Sequence, residues 1–386
     1  MVKLRIKLPA DYTFLSELTY EGILYAALNS ECNINIDEII FKDNGFIGKL
    51  FSELDDAKIN SIGVLMTGND NINRKLFEKF NVANVASKKT YRDLIFCLKK
   101  YHEKLKFKNN VEIKLKKFKK FLLIDVASEK EGLQAALFKI DRYTGLSSLE
   151  TDLITRQITL YFSKEIALLL LLGLYSSFIT TVVQQRERTY YFLLFSPEEI
   201  MRLLSEGNKS LMKKYFQVKC EVKNVLRQIL KSYQSAELLL TELLVNTRIQ
   251  DLIIRENLGK VSLALFRVAH EGQTYKIYEV IPISLYRESS FYRVASEYFR
   301  NPMQLASQLS KVLSPSEAIL KNLSNPKAEE NSNLIRAVNG LYRFVILGNM
   351  QGWFDFLREL WNAHEKRKDK SGGSIYLKLL KMLSYV

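Results

Sequence analysis

"IALLLLLGLYSSFITTVV" runs from Ile166 to Val183 without a charged residue, and its reading decides between a chain that crosses a bilayer and one that folds around this segment. Eighteen apolar residues are the lower limit for a membrane span. Gly173, Ser176, Ser177, Thr180 and Thr181 interrupt the run, and its flanks carry mixed charge with neither an aromatic belt nor a basic side. A helix that is apolar all round is also what the centre of a large folded protein requires. The segment therefore reads as a buried apolar helix over 164–183, and no membrane is expected among the partners.

Around that helix the composition is that of a folded, basic protein. At 386 residues the chain exceeds one compact core and predicts two domains. A hydrophobic fraction of 47% with six prolines excludes a disordered chain. There are 57 basic and 42 acidic side chains, giving a net charge of +15. Such a surplus points to an anionic partner, nucleic acid first and a membrane surface second, although charge can also serve solubility alone. Cys32, Cys97 and Cys220 are far apart and odd in number, so they form no local disulfide framework or zinc knuckle. The N-terminal "MVKLRIKLPADYTF" lacks the apolar run of a signal peptide, which predicts work in a reducing cytoplasm.

Periodicity supplies the elements. "KLRIKL" (Lys3–Leu8) alternates and predicts a strand, and "TFLSELTYEGILYAALN" predicts a helix. "INSIGVLMTG" reads as a buried strand ending at Gly68. "TYRDLIFCLKKYHEKLKF" places Leu94, Leu98, Tyr101 and Leu105 on one helical face, broken by Asn109 and Asn110. Val111, Ile113 and Leu115 then alternate with polar residues as a strand, which slips at Lys117–Lys120 before a second strand, "FLLIDVA". After the long apolar helix, Tyr190–Phe195 is an aromatic strand. Ser196-Pro197 with Glu199 forms a capping box, and Asn301-Pro302 and Ser314-Pro315 open helices in the same way. Residues 222–254 read as helical and 261–286 as a hairpin around Glu271-Gly272. Leu334, Val338, Leu341 and Val345 form one apolar stripe. Trp353, Phe354, Leu357, Leu360 and Trp361 form another. The fold class is α+β: a mixed α/β N-terminal region with small sheets, 1–285, and a mainly α-helical C-terminal bundle, 286–386.

Catalytic candidates are few. His102, His270 and His364 have no second ligand at metal-binding spacing, and solvated surface histidine is the simpler reading of each. No Gly-x-Ser-x-Gly elbow occurs. "GVLMTGND" starts like a phosphate loop, but Asn69 and Asp70 stand where Lys and Ser/Thr must be. Neither a cofactor nor a metal site is predicted, and the chain is not expected to be an enzyme. The alternative is a standalone metal-dependent nuclease built on dispersed carboxylates, which no spacing rule would reveal.

Charge is more informative. From Lys99 to Lys120, ten lysines face two acids, a surplus of eight, about half that of the whole chain. The macrodipole favours lysines at a helix end, and Lys114 and Lys116 can guard a strand edge. These roles leave much of the cluster unexplained. Phosphate binding by Lys99, Lys100, Lys104, Lys106, Lys108, Lys114, Lys116, Lys117, Lys119 and Lys120 accounts for it. Asn109 and Asn110, at a turn between two basic arms, can reach base edges in a minor groove. Two weaker patches follow. "YRESSFYRVASEYFRN" sets Arg287 and Arg293 among aromatics that suit single strands, or simply a core. "EKRKDKSGG" offers Lys366, Arg367 and Lys368 as a phosphate brush or a solvated tip.

In its order of parts the chain resembles the large subunit of an archaeal subtype I-A CRISPR interference complex. The basic α/β start, the "LLLLLGLYSSFITTVV" helix, the "RTYYFLLFSPEE" strand-to-helix passage and the helical C-terminal bundle carry the likeness. The resemblance covers most of the chain without a diagnostic motif. It implies a non-catalytic, Cascade-type antiviral-defence subunit that recognises the protospacer-adjacent (PAM) duplex. It further implies contacts with single-stranded DNA, the guide RNA, neighbouring subunits and a helicase-nuclease. By that analogy Lys106, Lys108, Asn109 and Asn110 read the duplex. The chain lacks the four-cysteine zinc site of some large subunits.

Overall fold

The computed structural model describes residues 1–10, 13–66, 70–80, 90–118, 121–134, 159–184, 187–230, 236–271, 274–313, 318–323, 328–369 and 374–384. Its elements confirm the α+β class. The first strand, β1 (Val2–Ile6), buries Val2, Leu4 and Ile6 and turns Lys3 and Arg5 outward. Thr13 then caps α1 (Phe14–Asn29), its hydroxyl accepting the Ser16 N–H at 3.3 Å. β2 (Cys32–Ile34), β3 (Glu38–Phe41), α2 (Phe46–Ser52), α3 (Asp56–Ser61) and α4 (Asp70–Lys79) follow. The strand expected to end at Gly68 is not formed among the described residues, where Leu65 makes one isolated bridge to Thr90. Gly68 and Asn69 lie outside the described residues.

α5 (Tyr91–Lys100) starts at a reciprocal capping box of Thr90 with Asp93 and stops ten residues later. A 3-10 turn (His102–Lys104) and an extended segment lead into β4 (Asn110–Ile113). β5 (Leu115–Phe118), β6 (Phe121–Ile124) and β7 (Thr159–Phe162) form a separate sheet in the order β5-β6-β7. β6 runs antiparallel to β5 and parallel to β7. β4 joins the first sheet instead, in the order β2-β3-β1-β4, parallel to β1.

The uncharged run divides into a helix and a strand. α6 (Lys164–Ser177), capped by Ser163, ends at Ser177, and the chain passes directly into β8 (Phe178–Gln184). The helix expected over 164–183 is therefore 14 residues long. The β-branched series Ile179-Thr180-Thr181-Val182-Val183 explains the change, since such side chains suit a pleated surface better than a helix. No helix among the described residues is long and apolar enough to cross a membrane. β9 (Glu187–Phe195) pairs with β8, and α7 (Pro197–Glu206) begins at the expected Ser196 cap with Pro197 in its first turn.

The 222–254 stretch resolves into α8 (Lys209–Ile229), α9 (Ala236–Leu244) and α10 (Thr247–Arg255). The expected hairpin is β10 (Lys260–Glu271) with β11 (Thr274–Tyr286), completing a sheet of order β11-β10-β9-β8. The remainder is helical: α11 (Ser290–Tyr298), α12 (Pro302–Val312) with its Asn301 cap, α13 (Ala318–Leu323), α14 (Asn331–Leu347), α15 (Met350–Arg367) and α16 (Ser374–Leu383). The Ser314-Pro315 start lies outside the described residues.

Two compact units result, one of residues 1–216 and 262–282, the other of 217–261 and 283–386. The helical unit thus recruits residues 217–261, grouped on sequence with the N-terminal region. The reason is apolar burial, since Leu238 and Val245 belong to the core built by α11–α16. Leu334, Val338, Leu341 and Val345 are buried there as expected. The second stripe is split: Trp353 and Leu360 are buried, whereas Phe354 is 55% and Trp361 48% exposed. The core face of α15 is set by Trp353, Phe356, Leu360 and Ala363, leaving Phe354 and Trp361 on its flank.

In the first unit α1 and α6 touch backbone to backbone. A Cβ on Gly22 would lie 1.9 Å from the Leu169 carbonyl oxygen, and one on Gly173 would lie 1.9 Å from that of Leu18. A methyl group at either glycine requires the helices to separate. Gly22→Ala or Gly173→Ala is therefore expected to cost about 3 kcal/mol or more, read as a drop in urea midpoint. Gly259→Ala, whose Cβ meets nothing within 4 Å, provides the near-neutral control.

Candidate nucleic-acid interface

The lysine-rich stretch is an extended chain bent across two sheets. Helix α5 ends at Lys100, and the His102 ring Nδ1 lies 2.9 Å from the Lys99 carbonyl oxygen at its terminus. Lys104 closes the 3-10 turn that follows the helix, whereas Lys106 and Lys108, expected in the last turns of the helix, lie in extended chain. Leu105 and Phe107 are buried, the Phe107 ring against Phe46 with centroids 5.2 Å apart, while Lys106 and Lys108 turn outward. Packing of Phe107 is what pulls this segment out of the helix.

The asparagines do not form a turn between two basic arms. The Lys3 N–H donates to the Asn109 carbonyl at 2.7 Å, and Asn110 opens β4 opposite Lys3. Both asparagine side chains are exposed. The chain bends first at Lys114, where its N–H donates to the Glu112 carbonyl at 3.1 Å and the chain changes sheets; it then reverses between Phe118 of β5 and Phe121 of the antiparallel β6, where the slip before the second strand was expected. Leu115 is consequently exposed, not aligned with the buried Val111 and Ile113.

Individual lysines differ in what they touch. Lys99 is committed to the fold, with Nζ 2.7 Å from Asp56 Oδ1 and donating to the Leu54 carbonyl. Lys100 and Lys104 lie over the Tyr101 ring, 5.7 and 5.2 Å from its centroid. The Lys108 ammonium stands 3.7 Å from Asp125 Oδ2 and 3.6 Å from Glu165 Oε2. Lys106, Lys114 and Lys116 point into solvent. Lys117 belongs to β5, opposite Leu122, and Lys119 and Lys120 lie outside the described residues.

Sequence reasoning missed the other half of this surface. Lys3, Arg5 and Lys7 alternate with buried residues of β1, and the parallel register puts Lys3 beside Asn110 and Arg5 beside Glu112. Arg5 is also paired with Glu38 at 3.3 Å, so the Lys3–Asn110 end of the sheet keeps the positive charge. The signal was present in the period-two pattern of "KLRIKL", but only the parallel pairing brings it to the elbow, the lysine-rich bend where the chain passes from β4 to β5.

The residues proposed from the C-terminal patches belong to the second unit. Arg287 Nη1 donates to Asn257 Oδ1 at 2.5 Å, while Arg293 is exposed. Of the neighbouring aromatics, Phe291 is core and Tyr298 is exposed. Arg367 is in the last turn of α15 and pairs with the buried Glu330 carboxylate. Lys366 donates to the Glu329 carbonyl at 3.4 Å and Lys368 to Glu365 at 3.0 Å. This run is a helix end engaged with acids rather than a free brush.

Burial would raise the Glu330 carboxyl pKa, but its own backbone N–H, the Arg367 guanidinium and the Tyr376 hydroxyl outweigh that and hold it below the usual range. A depressed carboxyl stabilises the fold above its unfolded pKa, and the contribution is lost as pH falls through the folded value. Arg367→Ala is expected to cost roughly 2 kcal/mol at pH 7, with less difference from wild type in acid and no change in nucleic-acid affinity. Thermal melts across pH and a binding titration check both halves.

No group of three or more His, Cys, Asp or Glu residues able to hold a metal ion occurs among the described residues. Comparison with known proteins adds one relative. No family model matches the chain, and no solved structure matches it. It is similar to an uncharacterized protein of Archaeoglobus fulgidus, 45% identical over 378 residues that cover 97% of this chain and 95% of that one.

Proposed function

Since the chain belongs to one family with that Archaeoglobus fulgidus protein, we propose a function from the surface itself: a non-catalytic, nucleic-acid-binding large subunit of an RNA-guided DNA-interference complex. The supporting observation is the Lys3–Asn110 pairing, which joins the outward Lys3 of β1 to the elbow at Lys106, Lys114 and Lys116. Ammonium groups so placed neutralise successive phosphates and supply affinity without sequence choice. Asn109 and Asn110, exposed at the same end, carry both a donor and an acceptor for base edges.

In this reading the first unit holds the protospacer-adjacent duplex, and base pairing to the guide RNA supplies sequence specificity. Single-stranded DNA, the guide, neighbouring subunits and a helicase-nuclease are the remaining partners, in the cytoplasm. Lys99 and Arg367 drop out of the binding set because both serve the fold.

The test is fluorescence anisotropy of the purified chain with labelled duplex DNA over a series of salt concentrations. Combined Lys106→Ala, Lys114→Ala and Lys116→Ala is expected to weaken binding and to lower the slope of log K against log salt by roughly 0.9 per lysine. Unchanged affinity at low salt removes the reading. Incubation with labelled DNA or RNA and manganese adds a second check: cleavage abolished by one Asp or Glu substitution would show a nuclease instead.

A further inference from the structure

Asp125 and Glu165 come together at the carboxyl ends of two parallel strands. Ile124 of β6 is in register with Phe162 of β7, and the Ser163 N–H donates to the Ile124 carbonyl at 3.2 Å. Asp125 follows the first strand directly, and Glu165 lies in the first turn of α6, which begins where the second strand ends. The crevice beyond the carboxyl ends of parallel strands is a recurrent ligand position in α/β sheets.

The two carboxylates are held and aimed. Asp125 adopts a left-handed backbone, φ 54°, and its Oδ1 accepts the Glu112 N–H at 3.3 Å. Its Oδ2 is thereby directed to the same ammonium that Glu165 Oε2 faces. Glu165 is 95% buried at its side chain and Asp125 88%. Neither Oδ2 nor Oε2 receives a hydrogen bond. Lys108, at 3.6 and 3.7 Å, is too distant to donate one, and it is itself 54% exposed. A buried carboxylate oxygen without a hydrogen bond is costly. Two carboxylates against one ammonium also leave a negative charge uncompensated, which a doubly charged ion would balance.

We propose that Asp125 and Glu165 bind a divalent cation of the magnesium and manganese class, for which Lys108 competes as the lysine ammonium on the solvent side. Hard cations of this class take oxygen ligands and are commonly held by only one or two carboxylates, the other positions going to water or phosphate oxygens. Cation entry displaces the Lys108 side chain toward solvent, where it joins Lys106 on the outer surface. Occupancy of the site thus neutralises the two carboxylates and releases a lysine to the outer surface. The proposal concerns the ion alone and stands whether or not the surface binds nucleic acid.

The experiment is manganese titration of the purified full chain without nucleic acid, following free Mn²⁺ by electron paramagnetic resonance. Wild type is expected to take up one equivalent. Asp125→Asn and Glu165→Gln, which preserve shape and the Glu112 hydrogen bond, are expected to weaken uptake at least tenfold. Lys108→Ala, which removes the competitor, is expected to tighten it several-fold. Circular dichroism melts identify any variant that does not fold, and the remaining variants then decide. Uptake in wild type equal to that of the carboxamide variants, or weakened by Lys108→Ala, overturns the proposal.

Discussion

The first unit depends on how closely α1 and α6 can approach. Gly22 and Gly173 face each other's helix backbone, so the interface has no side chain to hold the helices apart. Close approach lets the leucines of "LLLLL" fill the space around the crossing, and Leu168–Leu172 are at most 1% exposed. Each such side chain contributes about 1.5–3 kcal/mol on burial. The Ser176 hydroxyl donates to the buried Glu21 carboxylate across the same interface, which fixes the rotation of one helix against the other.

That crossing also determines where the site can be. α6 starts at the end of β7 and runs into β8, so a single buried rod connects two sheets. Its inner end is tied through β8 to β9, whose Phe192 meets Phe14 of α1 at 5.1 Å. Its outer end presents Ser163 and Glu165 beside Asp125. The elbow lies on that end because Lys108 reaches these carboxylates and Glu112 holds Asp125. Core packing and the charged surface are two ends of one helix.

Much of this was legible in the sequence. The caps at Ser196 and Asn301 declared themselves, because a short oxygen-bearing side chain followed by proline satisfies helix N–H groups locally. The hairpin of β10 and β11 was visible in its alternation. Three features were not. The end of α6 at Ser177 was obscured because apolarity alone does not distinguish buried helix from buried strand, and β-branching had to arbitrate. The exposure of Phe354 and Trp361 depends on which flank of α15 faces α14, set where Gly340 and Gly352 let the two helices close. The parallel pairing of β4 with β1 joins residues over 100 positions apart, and no local pattern encodes that. The site was hence half-visible: its lysines could be counted, but their neighbours could not.

The two sheets separate two reasons for placing lysine near a strand. β5 is an edge strand of its sheet and contains Lys116 and Lys117, where positive charge discourages pairing with another chain. β4 is also an edge strand, yet its sequence, Asn-Val-Glu-Ile, contains no lysine. The charges stand before it at Lys106 and Lys108, after it at Lys114, and across the pair at Lys3. Edge protection would place them within the strand. They stand instead at its ends, around a pair of exposed asparagines, so protection of the strand edge does not account for them.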